Sequence, residues 1–207
     1  MGGLTIRIGL VDDHPLVLGG LEAALDAVDG FDVVARAGTI GEARALLAHD
    51  DLDVVLLDIR LSDGNALSLL GPDRVPPPAV LVLSSFTNTQ YVSAAISLGA
   101  QGYLLKTAPI EDVTDAVRTV AGGGSWFSAA QLRAAGKGFV TLTARERQVV
   151  ELVMTGCTND EIAARLKVSP KTIEAHLSRL FERFDVVSRL ELGLRAEREG
   201  WLDFEAR

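Results

Sequence analysis

Apolar and polar positions divide the chain into two parts that differ in periodicity. Between residues 4 and 121, short apolar runs alternate with longer amphipathic stretches, as is typical of β-α-β units around a parallel sheet. The predicted strands are Ile6–Val11, Asp32–Ala37, Val54–Asp58, Val80–Ser84 and Gly102–Leu105. The predicted helices are Leu16–Ala27, Ile40–His49, Asn65–Leu70, Thr89–Leu98 and Ile110–Ala121. Most strand runs are uninterrupted Val, Leu and Ile, which favours strands buried on both faces.

After residue 121 the pattern changes to helical periodicity. Residues 122–138 are rich in Gly, Ala and Ser and begin with Gly122–Gly124, which predicts a helix stop followed by a linker. Residues 139–207 are predicted to form an all-α domain of four helices. Capping pairs mark the four starts: Thr143 with Glu146, Thr158 with Glu161, Ser169 with Pro170, and Ser188 with Glu191.

Length and composition agree with two small globular domains. The chain has 207 residues, of which 48% are hydrophobic and 23% are charged. Its apolar runs are far shorter than the about 20 residues that cross a bilayer, and no signal-peptide pattern precedes Asp12, so we expect a cytoplasmic protein and no membrane partner. The single cysteine, Cys157, cannot form an internal disulfide.

The net charge of -8 is distributed unevenly along the chain. Residues 1–140 carry nine Lys and Arg against 16 Asp and Glu, so that most of the negative charge belongs to the first part. Residues 165–183 carry five Lys and Arg against two Glu. An acidic chain is a poor DNA ligand as a whole, but this short basic segment could neutralise phosphates.

Polar side chains follow four of the five predicted strands. Asp12 and Asp13 follow the first strand, Asp58 ends the third, Ser84 ends the fourth and Lys106 follows the fifth. In a flavodoxin-like sheet of order 2-1-3-4-5 these strands are neighbours, so we expect the five side chains to converge. An Asp at a strand end is commonly only a turn or cap residue. Five polar residues in register favour a functional pocket instead.

Three carboxylates in one pocket repel each other, and a hard cation such as Mg²⁺ relieves that repulsion. Asp13 and Asp58 are the predicted direct ligands. A carboxylate beside a divalent ion, a hydroxyl and an ammonium group is equipped to accept a phosphoryl group, and Asp58 is the predicted nucleophile.

Four segments resemble the receiver domain of bacterial two-component response regulators: Val11-Asp12-Asp13-His14, Leu57-Asp58, Leu83-Ser84-Ser85 and Gly102-Tyr103-Leu104-Leu105-Lys106. The resemblance spans about residues 4–121. It implies that a sensor histidine kinase phosphorylates Asp58, and that Mg²⁺ binds Asp13, Asp58 and the backbone carbonyl of Arg60 with help from Asp12.

The same resemblance implies roles for three further residues. Lys106 would pair with the acyl phosphate, Ser84 would hydrogen-bond it, and Tyr103 would change rotamer and so reshape the surface of the fourth helix and fifth strand. Two residues depart from the family pattern after Asp58, because Ser62 stands where Pro is common and Ala66 where Gly is common. The conformation of that loop therefore stays open.

The predicted helix at residues 169–184 is amphipathic. Its apolar stripe, which should be buried, consists of Ile173, Leu177, Leu180 and Phe184. Its opposite face carries polar and charged residues, and a short turn, Lys167–Ser169, joins it to the preceding helix Asn159–Leu166. That spacing indicates a helix-turn-helix, although a charged helix face is most often only solvated.

The order of residues resembles the LuxR-type DNA-binding domain over about residues 139–202. The matching segments are Leu142-Thr143-Ala144-Arg145-Glu146, Gly156, Asn159-Asp160-Glu161-Ile162-Ala163, Leu166, Ser169-Pro170-Lys171-Thr172-Ile173 and His176. With the receiver-like part, this indicates the NarL/FixJ class of response regulators. The resemblance implies that one set of residues holds DNA phosphates, namely Lys171, Thr172, Arg179 and Arg183. It implies that Glu174, Ala175 and Ser178 read bases, with Glu174 departing from the usual basic residue.

A regulator of this kind is expected to act as a homodimer on two DNA half-sites of a promoter, with RNA polymerase as a further partner. Leu190, Leu194 and Trp201 are predicted either to form the dimer contact or to complete the core of their own domain. Enzymatic turnover beyond slow self-dephosphorylation is not expected, because aspartyl-phosphate phosphatases use a second Asp where this chain has Arg60. The alternative is a receiver that ignores phosphorylation and responds to a ligand or partner.

Overall fold

The computed structural model describes residues 5–49, 51–71, 78–136 and 140–202. The chain divides into two compact units, with the boundary between residues 139 and 140. Within the described ranges, every helix is too short or too polar to span a bilayer.

The first unit contains a five-stranded parallel sheet. Its strands are β1 (Ile6–Val11), β2 (Phe31–Ala37), β3 (Val54–Leu57), β4 (Ala79–Ser84) and β5 (Gly102–Leu105). They lie in the order β2-β1-β3-β4-β5, which confirms the predicted flavodoxin-like topology. Helices α1 (Pro15–Asp26), α2 (Ile40–Leu47), α3 (Thr89–Ser97) and α4 (Ile110–Ala121) connect or follow the strands. All four residues of the central strand β3 are buried, as the uninterrupted apolar run predicts.

The loop after β3 differs from the prediction of a helix over Asn65–Leu70. A small antiparallel hairpin joins Arg60–Leu61 to Gly64–Asn65, and only a 3-10 helix, Ala66–Leu69, follows it. The Asn65 side chain accepts a hydrogen bond from Leu67 N at 2.9 Å, which caps this short turn. Local bonds of this kind compete with α-helix formation, and four residues are too few to sustain one.

Residues 122–138 are more than the predicted linker. Trp126 forms a parallel bridge with Gly102 at the start of β5, and helix α5 (Ala129–Ala135) packs against α3. Ser128 and Gln131 cap α5 reciprocally, because Ser128 N donates to Gln131 Oε1 at 2.7 Å and Gln131 N donates to Ser128 Oγ at 3.2 Å. The segment from Trp126 to α5 therefore belongs to the first unit, which corrects its assignment to a simple connection.

The second unit contains the four predicted helices: α6 (Ala144–Met154), α7 (Asn159–Leu166), α8 (Pro170–Phe184) and α9 (Arg189–Glu199). The Thr143 and Thr158 capping boxes are both present. Lys167 and Asp185 end α7 and α8 in the left-handed conformation. The predicted apolar stripe of α8 is buried in the core of the unit, as is Cys157.

Candidate functional site

Acidic side chains meet at the carboxyl edge of the sheet. Asp12 and Asp13 follow β1, and Asp58 follows the neighbouring strand β3, where its backbone N–H donates to Val11 O at 2.9 Å. Asp12 and Asp58 are only 2% and 5% exposed. One ligand atom from each of Asp12, Asp13, His14 and Asp58 lies within 4.8 Å of the others. The structure thus brings the three predicted carboxylates together.

Lys106 joins this acidic pocket from the end of β5. Its Nζ lies 2.5 Å from Oδ2 of Asp12 and 2.8 Å from Oδ2 of Asp58. Burial lowers the pKa of Lys106, but the hydrogen bonds to Asp12 and Asp58 outweigh it and raise that pKa overall. Burial raises the pKa of Asp58, and the opposing contribution of Lys106 compensates only in part. The pocket therefore holds one ammonium group against more negative charge than it can neutralise.

The pocket fits a divalent cation. Oδ1 of Asp13 is buried without a hydrogen-bond partner among the described residues, although Nδ1 of His14 lies 2.7 Å from it. A buried carboxylate oxygen that accepts no hydrogen bond is costly, and hard cations such as Mg²⁺ take oxygen ligands of this kind. His14 also donates its backbone N–H to Asp12 Oδ1 at 2.9 Å, so that the Asp12 carboxylate is fixed between the turn and Lys106.

Ser84 and Tyr103, the other predicted pocket residues, are tied to the backbone of Phe86. Ser84 is fully buried at the end of β4, and its Oγ accepts from Phe86 N at 3.1 Å. The Tyr103 hydroxyl donates to Phe86 O at 2.7 Å. Burial is the main cause that raises the pKa of Tyr103 to about 12. The Tyr103 side chain is therefore an inward-pointing, neutral hydrogen-bond donor.

Phe86 was missed by the sequence reasoning, although it organises this side of the pocket. Its ring lies 5.0 Å from the ring of Tyr91 in α3, and the Arg60 guanidinium carbon lies 5.1 Å from the Phe86 ring centroid. The only sequence signal is an aromatic residue two positions after Ser84. Nothing in the local pattern indicates that it touches both the loop after Asp58 and helix α3.

The predicted DNA-contact residues lie on the exposed side of α8. All seven are exposed: Lys171, Thr172, Glu174, Ala175, Ser178, Arg179 and Arg183. His176 is half-buried. Ser169 caps the helix by accepting from Thr172 N at 3.1 Å, which fixes the first turn of α8. The opposite stripe is buried, so α8 presents one continuous polar face.

Arg183 differs from the others because its guanidinium is already bound within the unit. Its Nη1 donates to Glu146 Oε1 at 2.9 Å, and its Nη2 donates to the Thr141 carbonyl oxygen at 2.9 Å. Burial alone would raise the pKa of Glu146, but hydrogen bonds from Thr143 and Arg183 lower it overall. Arg183 therefore ties α8 to the start of α6 within the unit, and its phosphate-binding role stays a prediction.

The predicted dimer residues separate into two groups. Trp201 is 1% exposed and packs in the core, with its ring 4.1 Å from that of Phe184. Its proposed surface contact is therefore corrected in favour of the core alternative. Leu190 and Leu194 are 70% and 57% exposed on α9. Val187, which precedes α9 and was not predicted, is 92% exposed.

Known proteins resemble this chain over nearly its whole length. Residues 8–118 match the family model of the response regulator receiver domain, and residues 140–196 match that of the luxR family of bacterial regulatory proteins. The transcriptional regulatory protein UhpA of Salmonella typhimurium is 37% identical over 199 residues, covering 95% of this chain and 100% of UhpA. The DNA-binding transcriptional activator DevR/DosR of Mycobacterium tuberculosis is 34% identical over 198 residues, covering 90% and 91% of the two chains. The crystal structure of the response regulator ChrA, from a heme-sensing two-component system, is 29% identical, with a TM-score of 0.55 over 97% of this chain and 100% of that chain.

Proposed function

The chain belongs to the two-component response regulators that join a receiver domain to a LuxR-type DNA-binding domain, and from that premise we propose that phosphorylation of Asp58 by a sensor histidine kinase controls dimerisation and sequence-specific binding to promoter DNA. One observation carries the proposal. The Asp58 carboxylate is buried 2.8 Å from Lys106 Nζ, beside Asp12 and Asp13 and at the edge where Ser84 ends the next strand. A pocket complete in these groups favours control by phosphorylation over control by an unrelated ligand.

The chemistry follows from the groups around Asp58. A carboxylate oxygen of Asp58 forms a bond to phosphorus while the phosphorus–nitrogen bond to the kinase histidine breaks, and the released imidazole nitrogen takes up a proton. Lys106 neutralises charge on the transferred group, and Ser84 donates its hydroxyl hydrogen to a phosphoryl oxygen. Their positions at the ends of neighbouring strands preorganise both groups for this task.

A divalent cation would be held by Asp13, Asp58 and the backbone carbonyl of Arg60, with Asp12 assisting. When bound, Mg²⁺ would neutralise carboxylate and phosphoryl charge in the pocket. Asp13 supports this assignment most directly, because its buried Oδ1 accepts no hydrogen bond among the described residues and has only Nδ1 of His14 as a close charged neighbour, at 2.7 Å. Asp12 already uses its two oxygens for His14 N and Lys106 Nζ, which supports an assisting role rather than direct ligation.

DNA binding is assigned to the exposed face of α8. Lys171, Thr172 and Arg179 would contact phosphates, while Glu174, Ala175 and Ser178 would face base edges in the major groove. The ion pair of Arg183 with Glu146 supports a structural role for Arg183 in holding α8 against α6. An RNA polymerase contact would then follow from promoter binding.

Lys171→Ala should weaken binding to every DNA sequence by a similar factor. Loss of one phosphate contact releases about one counterion fewer, so the slope of log binding constant against log salt should fall by about 1. Ser178→Ala is the matched control on the same exposed face and should change preference at one base position instead. Fluorescence anisotropy over a salt series with two unrelated sequences measures both effects. A changed base preference with an unchanged salt slope in Lys171→Ala would contradict the assignment.

Phosphorylation should convert the protein to a dimer that binds palindromic DNA more tightly. A single basic helix on an acidic chain makes few phosphate contacts, whereas two linked copies engage two half-sites at once. The exposed side chains of Val187, Leu190 and Leu194 support α9 as the apolar contact between copies. Sedimentation with and without beryllofluoride, in the presence and absence of DNA, measures the association.

Asp58→Ala serves as the control for the sedimentation experiment, because it should not respond to beryllofluoride. If the unaltered chain stayed monomeric in every condition, dimerisation would no longer explain the regulation. Leu190→Ala in the phosphomimetic state then locates the contact, since it truncates a side chain that is 70% exposed and adds little strain to the unit itself.

A further inference from the structure

Helix α3 is covered on both sides. Six consecutive residues, Gln90–Ala95, are buried, whereas a helix that packs on one face of a sheet normally leaves its outer side in solvent. The sheet covers one side of α3, and helix α5 packs against the other. The segment that reaches α3 in this way, residues 125–135, is called the clamp below.

The clamp also occupies the free edge of the sheet. Trp126 N donates to Gln101 O at 2.8 Å, and Tyr103 N donates to Trp126 O at 3.0 Å. These bonds satisfy part of the backbone of β5, which lies at the edge of the strand order. Gly102 permits this approach, because a Cβ there would lie 3.1 Å from Trp126 Cβ and 2.6 Å from Leu81 Cδ1.

Gln131 anchors the start of α5 to the same strand. Its Nε2 donates to Tyr103 O at 3.3 Å, while its Oε1 accepts from Ser128 N at 2.7 Å. The clamp therefore holds both backbone polar groups of Tyr103, the N–H through Trp126 and the carbonyl through Gln131.

Tyr103 connects the clamp to the acidic pocket. Its hydroxyl donates to Phe86 O, and Phe86 N donates to Ser84 Oγ, the group proposed to bind the phosphoryl oxygen. The Phe86 ring in turn stacks on Tyr91 of α3. Two routes thus run from Ser84 through Phe86 to the clamp, one by way of Tyr103 and β5 and the other by way of Tyr91 and α3.

We propose that the clamp is an intramolecular ligand of the surface formed by α3 and β5, called the α3–β5 surface. The clamp covers this surface until phosphorylation of Asp58 loosens the clamp. This inference rests on the proposed function. When Ser84 turns to the phosphoryl group, Phe86 N loses its acceptor and the Phe86 carbonyl that holds Tyr103 shifts. The resulting movement of Tyr103 and Tyr91 disturbs the strand edge and the helix on which the clamp rests. Loosening then exposes the α3–β5 surface and lengthens the free chain before the second unit.

Hydrogen exchange of the full-length protein, read by mass spectrometry, tests the proposal in two ways. With beryllofluoride and Mg²⁺ bound, amides in residues 89–97 and 125–135 should exchange roughly tenfold faster, because local opening becomes easier. Fluorine NMR measures beryllofluoride binding independently. Bound beryllofluoride with unchanged exchange in both segments would overturn the proposal, whereas absence of binding would count against the proposed function.

Gln131→Glu tests the clamp without any phosphoryl mimic. The carboxylate keeps an acceptor for Ser128 N but cannot donate to Tyr103 O, so both segments should exchange faster in the untreated protein. Ser128→Ala is the matched control, because it removes the hydroxyl that accepts from Gln131 N and leaves the Tyr103 contact in place. It should leave the exchange of residues 89–97 unchanged. If Gln131→Glu also left that exchange unchanged, the clamp would not be anchored at Tyr103.

Discussion

Incubation with acetyl phosphate and Mg²⁺ should add one phosphoryl group to the protein, and Asp58→Ala should abolish that addition completely. Strand β3 lies between β1 and β4, so Asp58 has Asp12 and Asp13 on one side and Ser84 on the other. Asp12 and Asp13 follow β1, which lies between β2 and β3 and is therefore not adjacent to the strand that ends in Ser84. Intact-protein mass spectrometry measures the incorporation directly, and the phosphoryl mass should be lost on treatment with hydroxylamine, which cleaves acyl phosphates.

Asp53→Ala is the matched control for Asp58→Ala. Asp53 precedes β3 at the opposite end of the same strand, where its carboxylate accepts from Arg7 N at 2.7 Å, and it should leave phosphorylation intact. Asp58→Ala should also stay folded. Burial raises the folded-state pKa of the Asp58 carboxyl, so ionisation of that carboxyl opposes folding once the pH exceeds its unfolded-state pKa. The substitution removes this cost, and Lys106 retains Asp12 as a partner. Phosphorylation that persisted in Asp58→Ala would show that a different side chain is the acceptor.

The sheet and the acidic pocket could be predicted from the sequence because both depend on short-range rules. Uninterrupted apolar runs such as Val54–Leu57 indicate buried parallel strands, and parallel strands bring their carboxyl ends to one edge. The position of Asp58 directly after such a run therefore determines its place in the pocket. The helix starts of the second unit were equally accessible, because Thr143 and Thr158 form capping boxes with residues only three positions away.

The clamp could not be predicted, because distant residues hold it. Gln131 bonds to Tyr103 across 28 positions. The backbone of Trp126 bonds to Gln101 O and Tyr103 N at the start of β5. The local composition of residues 122–138 is typical of a linker, and nothing in it indicates that this segment binds the edge strand β5. The ion pair of Arg183 was not predicted for the same reason, since its partner Glu146 lies 37 positions away.

Helical periodicity could not decide whether Trp201 forms a surface contact or completes the core, because the helix ends before it. Helix α9 stops at Glu199, and Gly200 takes the left-handed conformation with φ 67°. This turn redirects the chain, so that Trp201 no longer continues the stripe of Leu190 and Leu194 but enters the core beside Phe184. A glycine at a helix C-terminus is the sequence signal that could have found this reversal.

Trp201→Ala should destabilise the second unit by about 3–5 kcal/mol, the usual loss when a buried Trp or Phe is truncated. The indole is 1% exposed, packs against the ring of Phe184 and donates its Nε1–H to Glu199 Oε2 at 2.9 Å. Its removal would leave a cavity against α8 and would remove the hydrogen-bond donor of Glu199 Oε2 at the end of α9. Hydrogen exchange of α6 and α8 peptides in the full chain measures the loss for this unit separately from the first.

Leu194→Ala is the matched control, because it truncates an apolar side chain of α9 that is 57% exposed. It should change the stability of the unit by no more than about 0.5 kcal/mol, as surface substitutions usually do, while weakening dimerisation in the phosphomimetic state. The two variants therefore separate the core of the unit from its association surface. The division of roles between Trp201 and the exposed leucines would be contradicted if both variants lost the same protection of α8 from hydrogen exchange. It would also be contradicted if Trp201→Ala kept full protection but lost dimerisation. Because the proposed DNA contacts lie on α8, the DNA affinity of Trp201→Ala should fall with the folded fraction, whereas a Leu194→Ala monomer should keep the affinity of a single half-site.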